Sequence, residues 1–213
     1  MLNVLLIGAG AQAKYALESF DMRPDYAAAG VLTIGLEPIE LPWLSDYGVP
    51  CFGSWESWNP AKNRIADEFL VCCADPDLKA EIFHRCLEFC LRAASAIHPR
   101  AAIASTATLG DGAIVNAGAV IQPFAEIGRG AMIHANAVVE HDCKLGDFVN
   151  LSPNVTLAGW VQIEDCVTVF TGANIIPEVR IGAGSKVGAG ATVITDVKPG
   201  CTVVGIPARV VDA

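Results

Sequence analysis

Few side chains in this 213-residue protein can move a proton near neutral pH: His84, His98, His134 and His141 are its histidines, and imidazole is the group whose ordinary pKa lies in that range. His84 falls in a helical pattern and His98 at a junction between two differently patterned regions, so structural roles account for both. His141 stands between Glu140 and Asp142. A carboxylate bonded to one ring nitrogen fixes the tautomer and makes the other nitrogen a better base. An exposed histidine beside acids is more often an idle surface group, so the triplet needs support from its surroundings. His134 and His141 could also begin a metal site. A catalytic zinc needs three protein ligands, and no histidine follows His141, so no metal is expected.

The surroundings of His141 are regular. From Ile103 to Val193 every sixth residue is a branched aliphatic: Ile103, Leu109, Val115, Ile121 and so on through Val139, Leu157 and Val187. The residue two before each is small or β-branched, as at Ala101, Ala119, Cys143, Val161 and Ala191. A period of six fits neither an amphipathic helix nor one long alternating strand. It fits short parallel strands coiled so that each turn of chain stacks on the last. The aliphatic residue points inward, and its partner at i−2 faces the same way because side chains alternate along a strand. Gly110, Gly128, Gly146, Gly182 and Gly188 directly follow the aliphatic positions and suit corners where a side chain would cost strain. His141, two residues past Val139, falls at such a corner and points outward.

The region before the repeat is different. Asn3–Gly8 reads as a buried parallel strand. It breaks at Gly8-Ala9-Gly10-Ala11-Gln12-Ala13-Lys14, and a helical pattern runs on to Phe20. Strand, glycine turn and helix open a Rossmann-like unit, and a helix starting there offers backbone N–H groups to a phosphate. A third glycine is missing, since Ala13 stands in its place, so a tight turn without a ligand is the competing account. Ala27–Ile34 reads as a second strand, with Glu37 roughly where a ribose-binding acid would sit or simply in a solvated loop. Residues 38–59 read as a loop whose Trp43, Trp55 and Trp58 either stack on a base or pack over the sheet. Glu68–Cys73 reads as a strand, Asp77–Leu91 as a helix, and Ala93–Ile97 as a closing strand. The result is three or four parallel strands over residues 1–97, half of a full dinucleotide-binding domain.

Composition narrows the partners. Apolar residues make up 53 % and charged residues 17 % of the chain, which suggests surface buried between subunits. The net charge of −9 argues against a nucleic-acid partner. Eight scattered cysteines without a CxxC suit reduced thiols in a cytoplasmic protein. No secretory leader is expected at Met1–Leu17 and no apolar run reaches membrane-spanning length.

Taken together, the glycine turn, the His98-Pro99-Arg100-Ala101 entry, the hexapeptide repeat, Glu140-His141-Asp142 and the Val204-Gly205-Ile206-Pro207-Ala208 tail resemble the hexapeptide-repeat bacterial sugar acetyltransferases. These include sialic acid O-acetyltransferase and the N-acetyltransferases of nucleotide-linked amino sugars. The resemblance covers nearly the whole chain. It implies a small α/β Rossmann-like domain (1–97) that binds the acceptor, then a left-handed parallel β-helix (98–213) that carries the chemistry. It implies acetyl-CoA as co-substrate, a nucleotide-linked amino sugar as acceptor, and a homotrimer with sites between subunits. His141 takes the position of the family's general base and Asp142 that of its partner.

The family's coil holds three hexapeptides, so residue i+18 stacks on residue i, about 4.8 Å away. Gly159 then sits one rung from His141. It is either a plain corner glycine or, at the matching position, the backbone donor to the thioester oxygen. Thr171, Ala189, Pro207 and Arg209 follow by position as coenzyme A contacts. Gly8, Gly10, Lys14 and Glu37 are the candidate acceptor contacts. His134 stacks under Ser152 where the family usually has asparagine; it either lines the acceptor pocket or is a satisfied surface histidine. Gln12 replaces the glycine loop's usual histidine. The expected activity is N-acetylation of a nucleotide-linked amino sugar. The alternatives are O-acetylation of a sugar hydroxyl, a non-catalytic scaffold or nucleotide binder, and an NAD-linked enzyme, against which the half-sized sheet counts.

Overall fold

The computed structural model describes residues 2–23, 25–35, 41–59, 62 and 64–211. The chain divides into two compact units, Met1–Pro99 and Arg100–Ala213, so His98 and Pro99 go with the first rather than opening the second.

In the first unit β1 (Leu2–Ile7) leads through the glycine turn into α1 (Ala11–Asp21), then β2 (Tyr26–Thr33), α2 (Trp43–Asp46), β3 (Cys51–Ser54), β4 (Glu68–Val71), α3 (Pro76–Glu88) and β5 (Arg92–Ala93). The five strands form a parallel sheet in the order β3-β2-β1-β4-β5. The chain order reverses at β1, which makes the carboxyl ends of β1, β2 and β4 the crevice of a doubly wound sheet. Val4 to Ile7 and Phe69 to Val71 are essentially fully buried, as the continuous apolar runs of a parallel sheet require. Asp75 caps α3 by accepting from the Leu78 N–H at 2.9 Å, with Pro76 in the first turn, a combination that suits a helix start.

Two sequence expectations change here. The stretch read as a loop over 38–59 contains α2, β3 and a 3-10 turn at Trp55–Ser57. β3 is a short edge strand whose pattern is masked by the preceding Pro50 and by its own Gly53; its pairing to β2 runs through Val31 opposite Cys51. Trp55 and Trp58 are 4 % and 7 % exposed and their rings lie 5.8 Å apart, so both pack into the unit and neither stacks on a base. The expected strand over Ala93–Ile97 splits: Arg92–Ala93 closes the sheet beside β4, while Ala96–Ile97 lies outside that sheet.

In the second unit two-residue strands recur every six residues and stack into three sheets. Partners are eighteen residues apart: Val120 with Val138, Val138 with Thr156, Thr156 with Asn174. The inward aliphatics and their partners are buried, with Val139, Leu151, Leu157, Ala137, Cys143 and Val161 all at 0 %. Each such aliphatic is worth roughly 1.5–3 kcal/mol, and the ladder hydrogen bonds close within the stack, as with the Glu140 N–H to the Leu157 carbonyl at 3.1 Å. Thr202–Val204 and Arg209–Val211 end the unit as an antiparallel pair, with Gly205–Ala208 as their connection.

The corners obey a different rule from the one expected. From Gly112 to Gly190 the strained residue is the second of the corner pair: Gly130, Asn136, Asp142, Asn154, Trp160 and Gly184 all have φ near +60°. The glycines that directly follow the aliphatics have ordinary φ. They are excluded from carrying a side chain by the neighbouring rung: a Cβ on Gly110 would stand 2.6 Å from the Arg129 nitrogen.

Candidate active site

His141 and Asp142 form one corner of the coil. Asp142 has φ +58°, a conformation that aspartate and asparagine tolerate better than most residues. The turn brings its carboxylate back onto the imidazole, with Asp142 Oδ2 2.8 Å from His141 Nδ1. The acceptor on that side assigns the proton to Nδ1 and leaves Nε2 with its lone pair. Both side chains are about two-fifths exposed, so Nε2 is open to a ligand.

Gly159 is the next rung. A Cβ placed on it would stand 2.7 Å from His141 Cε1 and 2.8 Å from Nε2. The imidazole therefore lies over the bare glycine, with its free nitrogen beside that backbone. The Trp160 N–H donates to the His141 carbonyl at 3.1 Å, which ties the two corners together. Trp160 also sets its ring edge-on to the imidazole, centroids 4.4 Å apart at 89°, and walls one side of the base. Below them Cys143 is buried, and its thiol donates to the Ala158 carbonyl at 3.1 Å. Burial pushes that thiol up to about 11, so it stays protonated.

The Gly159 N–H differs from its counterparts at another corner. There the Arg129 and Asp147 N–H groups donate to Asp147 Oδ1 and Asp165 Oδ1 at 2.7 and 2.8 Å, and the Ala183 N–H donates to Glu164 Oε2 at 2.8 Å. Carboxylates cap that edge. The Gly159 N–H meets no acceptor among the described residues, since the next rung presents Pro177, whose side chain has no oxygen.

The other expected residues are dispersed. His134 is 8 % exposed and packs with its Nδ1 3.4 Å from Asn116 Nδ2. It precedes the corner Ala135–Asn136, a different edge from that of His141. Thr171 and Ala189 stack on the His134 side, where the Gly190 N–H donates to the Thr171 carbonyl at 2.9 Å. Pro207 lies in the terminal connection, and the Arg209 guanidinium donates to the Ala208 carbonyl at 2.8 Å.

In the first unit Gly8 has φ +108°, and a Cβ on it would stand 2.6 Å from the Cys72 carbonyl oxygen; only glycine fits. Gly10 precedes α1 with open space around it and no side-chain cap. A cavity of about 330 Å³ lies at the sheet's crevice, lined by Gly8, Gly10, Thr33, Ile34, Leu41 and Cys73 among others. Gln12 is buried at 8 % exposure, and its Oε1 has no hydrogen-bond partner among the described residues. Lys14 turns to the Trp43 ring, with its ammonium 5.2 Å from the centroid. Glu37 lies outside the described residues. Among the described residues, no three His, Cys, Asp or Glu side chains converge, and no helix is long and apolar enough to cross a membrane.

The sequence reading missed Trp160 and Cys143 as parts of this corner. The eighteen-residue step would have found the first, since Asp142 steps onto Trp160. Cys143 was hidden as one more small inward residue.

Comparison with known proteins fits this geometry. The sequence profile of the bacterial transferase hexapeptide family (six repeats) matches residues 124–159. PerB from Caulobacter crescentus, solved with CoA and GDP-perosamine, is 30 % identical with a TM-score of 0.88, covering 99 % of this chain and 97 % of that one. A variant of GDP-perosamine N-acetyl transferase from the same organism, also with CoA and GDP-perosamine, is 29 % identical at a TM-score of 0.90, with 99 % and 97 % covered. The acetyltransferase domain of PglB from Neisseria gonorrhoeae is 25 % identical at a TM-score of 0.85, with 99 % and 100 % covered. No curated protein matches by sequence. With its small parallel α/β unit, its coil of stacked hexapeptides and this coverage, the chain belongs to the hexapeptide-repeat, left-handed β-helix family of CoA-dependent bacterial sugar acetyltransferases.

Proposed function

We propose that the chain transfers acetyl from acetyl-CoA to the amino group of a nucleotide-linked amino sugar. The observation that carries this reading is the pairing of an Asp142-oriented imidazole with the bare, undonated backbone N–H of Gly159 one rung away. The acceptor amine attacks the thioester carbon as His141 Nε2 takes the amine proton. The Gly159 N–H donates to the oxyanion that forms. Collapse breaks the carbon–sulfur bond, the imidazolium protonates the leaving thiolate, and the products are the amide and CoA thiol. The structurally similar GDP-perosamine enzyme, crystallised with CoA and its amino sugar, supports the choice of substrates.

The acceptor's nucleotide binds in this reading at the crevice beyond Gly8 and Gly10, where the backbone N–H groups at the start of α1, which has no side-chain cap, suit a phosphate. Gln12 Oε1, without a partner among the described residues, is a further acceptor in the first turn of α1. Lys14 and Glu37 remain candidate acceptor contacts. Coenzyme A runs past Gly159, Thr171 and Ala189 to Pro207 and Arg209. Since Gly159 and Thr171 lie on different edges of one coil, a single CoA touching both is best served by a groove between two copies, in a homotrimer. Exposed Phe124, Trp160, Phe170 and Ile206, at 61, 52, 42 and 77 %, supply apolar surface for such contacts; His134, on the edge of Thr171, would then face the acceptor from the neighbouring copy.

The test is to incubate the protein with acetyl-CoA and a panel of nucleotide-linked amino sugars and their hydroxyl counterparts, following thiol release and the mass of the product. Amide formation on an amino sugar is expected. Ester formation on the hydroxyl sugars alone overturns N-acetylation, and no thiol release with any acceptor overturns the enzyme reading.

A further inference from the structure

Ala158 C=O and Gly159 N–H belong to one peptide group. The carbonyl accepts from an inward side chain, and the N–H belongs to the glycine that the His141 imidazole covers. Conjugation across the C–N bond links them: a hydrogen bond accepted by the oxygen draws electron density toward it and makes the N–H a stronger donor. The donor to that oxygen is the Cys143 thiol, at 3.1 Å. The inward residues of the same column are Ala125, Cys143, Val161 and Val179. Cys143 is the one among them with a polar head, and it lies immediately beneath the corner where the imidazole meets the bare glycine. Alanine and valine stand at the equivalent places on the column's other rungs, so the coil does not require sulfur there. The thiol is fully buried and protonated, so it acts as a donor and not as a nucleophile.

We infer that Cys143 is a positioning residue for the acyl-transfer step, holding and polarising the Ala158–Gly159 peptide so that its N–H is aimed at the developing oxyanion. The inference rests on the reading of Gly159 as the oxyanion donor. The thiol touches neither substrate; it acts through the peptide. The bond is weak individually, and its effect appears in the transition state, where the N–H···O bond strengthens.

The experiment compares wild type, Cys143→Val and Cys143→Ser. Valine, the residue on the next rung of the column, removes the donor and adds about a methyl group, whereas serine keeps a donor in a smaller side chain. Expected for valine is a fall in kcat of about three- to fivefold, the size of one weak hydrogen bond, with the KM for acetyl-CoA and the thermal midpoint unchanged. Serine is expected to retain more turnover than valine even if its midpoint is lower. A second readout is the carbonyl stretch of bound acetyl-CoA, isotope-edited with ¹³C and recorded without acceptor. Wild type is expected to shift it to lower frequency than in free acetyl-CoA, and valine to reduce that shift. No shift in wild type overturns the Gly159 reading itself. A shift in wild type that valine leaves intact, with turnover retained, overturns the role of Cys143 alone. Should valine fold less stably, serine outperforming it in kcat still supports the inference, and valine outperforming serine overturns it.

Discussion

The His141 imidazole occupies the space that a side chain on Gly159 would need: a Cβ there would stand 2.7 Å from Cε1 and 2.8 Å from Nε2. A residue other than glycine would push the ring off the backbone it covers. Gly159→Ala should therefore lower kcat sharply, about tenfold or more for a displaced base, while the coil's melting midpoint changes little because the part-exposed ring can swing toward solvent to make room. Steady-state kinetics beside a thermal melt checks this, and full activity in the alanine variant would show that the ring has room to move.

His141→Asn removes the base and keeps a polar group of similar reach. It should bind acetyl-CoA nearly as wild type does, by calorimetry, and lose about a hundredfold or more in kcat, the usual yield of general base catalysis. Retained turnover would remove His141 from the chemistry.

Asp142→Asn tests the partner without moving the backbone, because asparagine also accepts φ near +60°. The amide can still touch Nδ1 but does not stabilise the imidazolium. We expect kcat to fall about tenfold or more with the KM for acetyl-CoA unchanged. A change in KM alone would make Asp142 a binding residue.

Lys79 on α3 is 1 % exposed, and its ammonium has no hydrogen-bond partner among the described residues. Burial lowers its pKa from 10.5 to about 8. The unfolded chain then binds more protons than the folded one between those values. Stability should rise with pH through the window from about 8 to 10.5, by roughly 3 kcal/mol at the order-of-magnitude level. Lys79→Met should raise the chemical-denaturation midpoint of the first unit at pH 7 and flatten this slope. An unchanged midpoint at pH 7 would show that the amine finds compensation in solution.

Much of the second unit was legible in the sequence because its period is a packing constraint: each inward aliphatic from Ile103 to Val193 fills one layer of a prism. The corner glycines were legible by position but for the wrong reason, since Gly110 and Gly128 answer to crowding from the next rung and the backbone strain falls on residues such as Asp142 and Trp160. A residue's φ depends on its place in the turn, which composition does not report. In the first unit β1, α1 and β4 were readable as apolar runs and helical periods, while β3 was not: an edge strand of four residues carrying Gly53 looks like a loop until its partner is known. Of the corner's chemistry, His141 and Asp142 stood out by type. Trp160 and Cys143 did not, because their roles come from residues nineteen and fifteen positions away.

The unbroken register also governs how this protein can change in length. Inserting six residues between His141 and Gly159 would carry the glycine round to another edge of the coil, and inserting one would turn the aliphatics outward. A whole lap of eighteen would restore the edge but seat a new rung between base and glycine. Along this part of the chain, length is quantised, and between those two residues the permitted increment is zero. Additions there must bulge outward from a corner, leaving the count of rungs untouched.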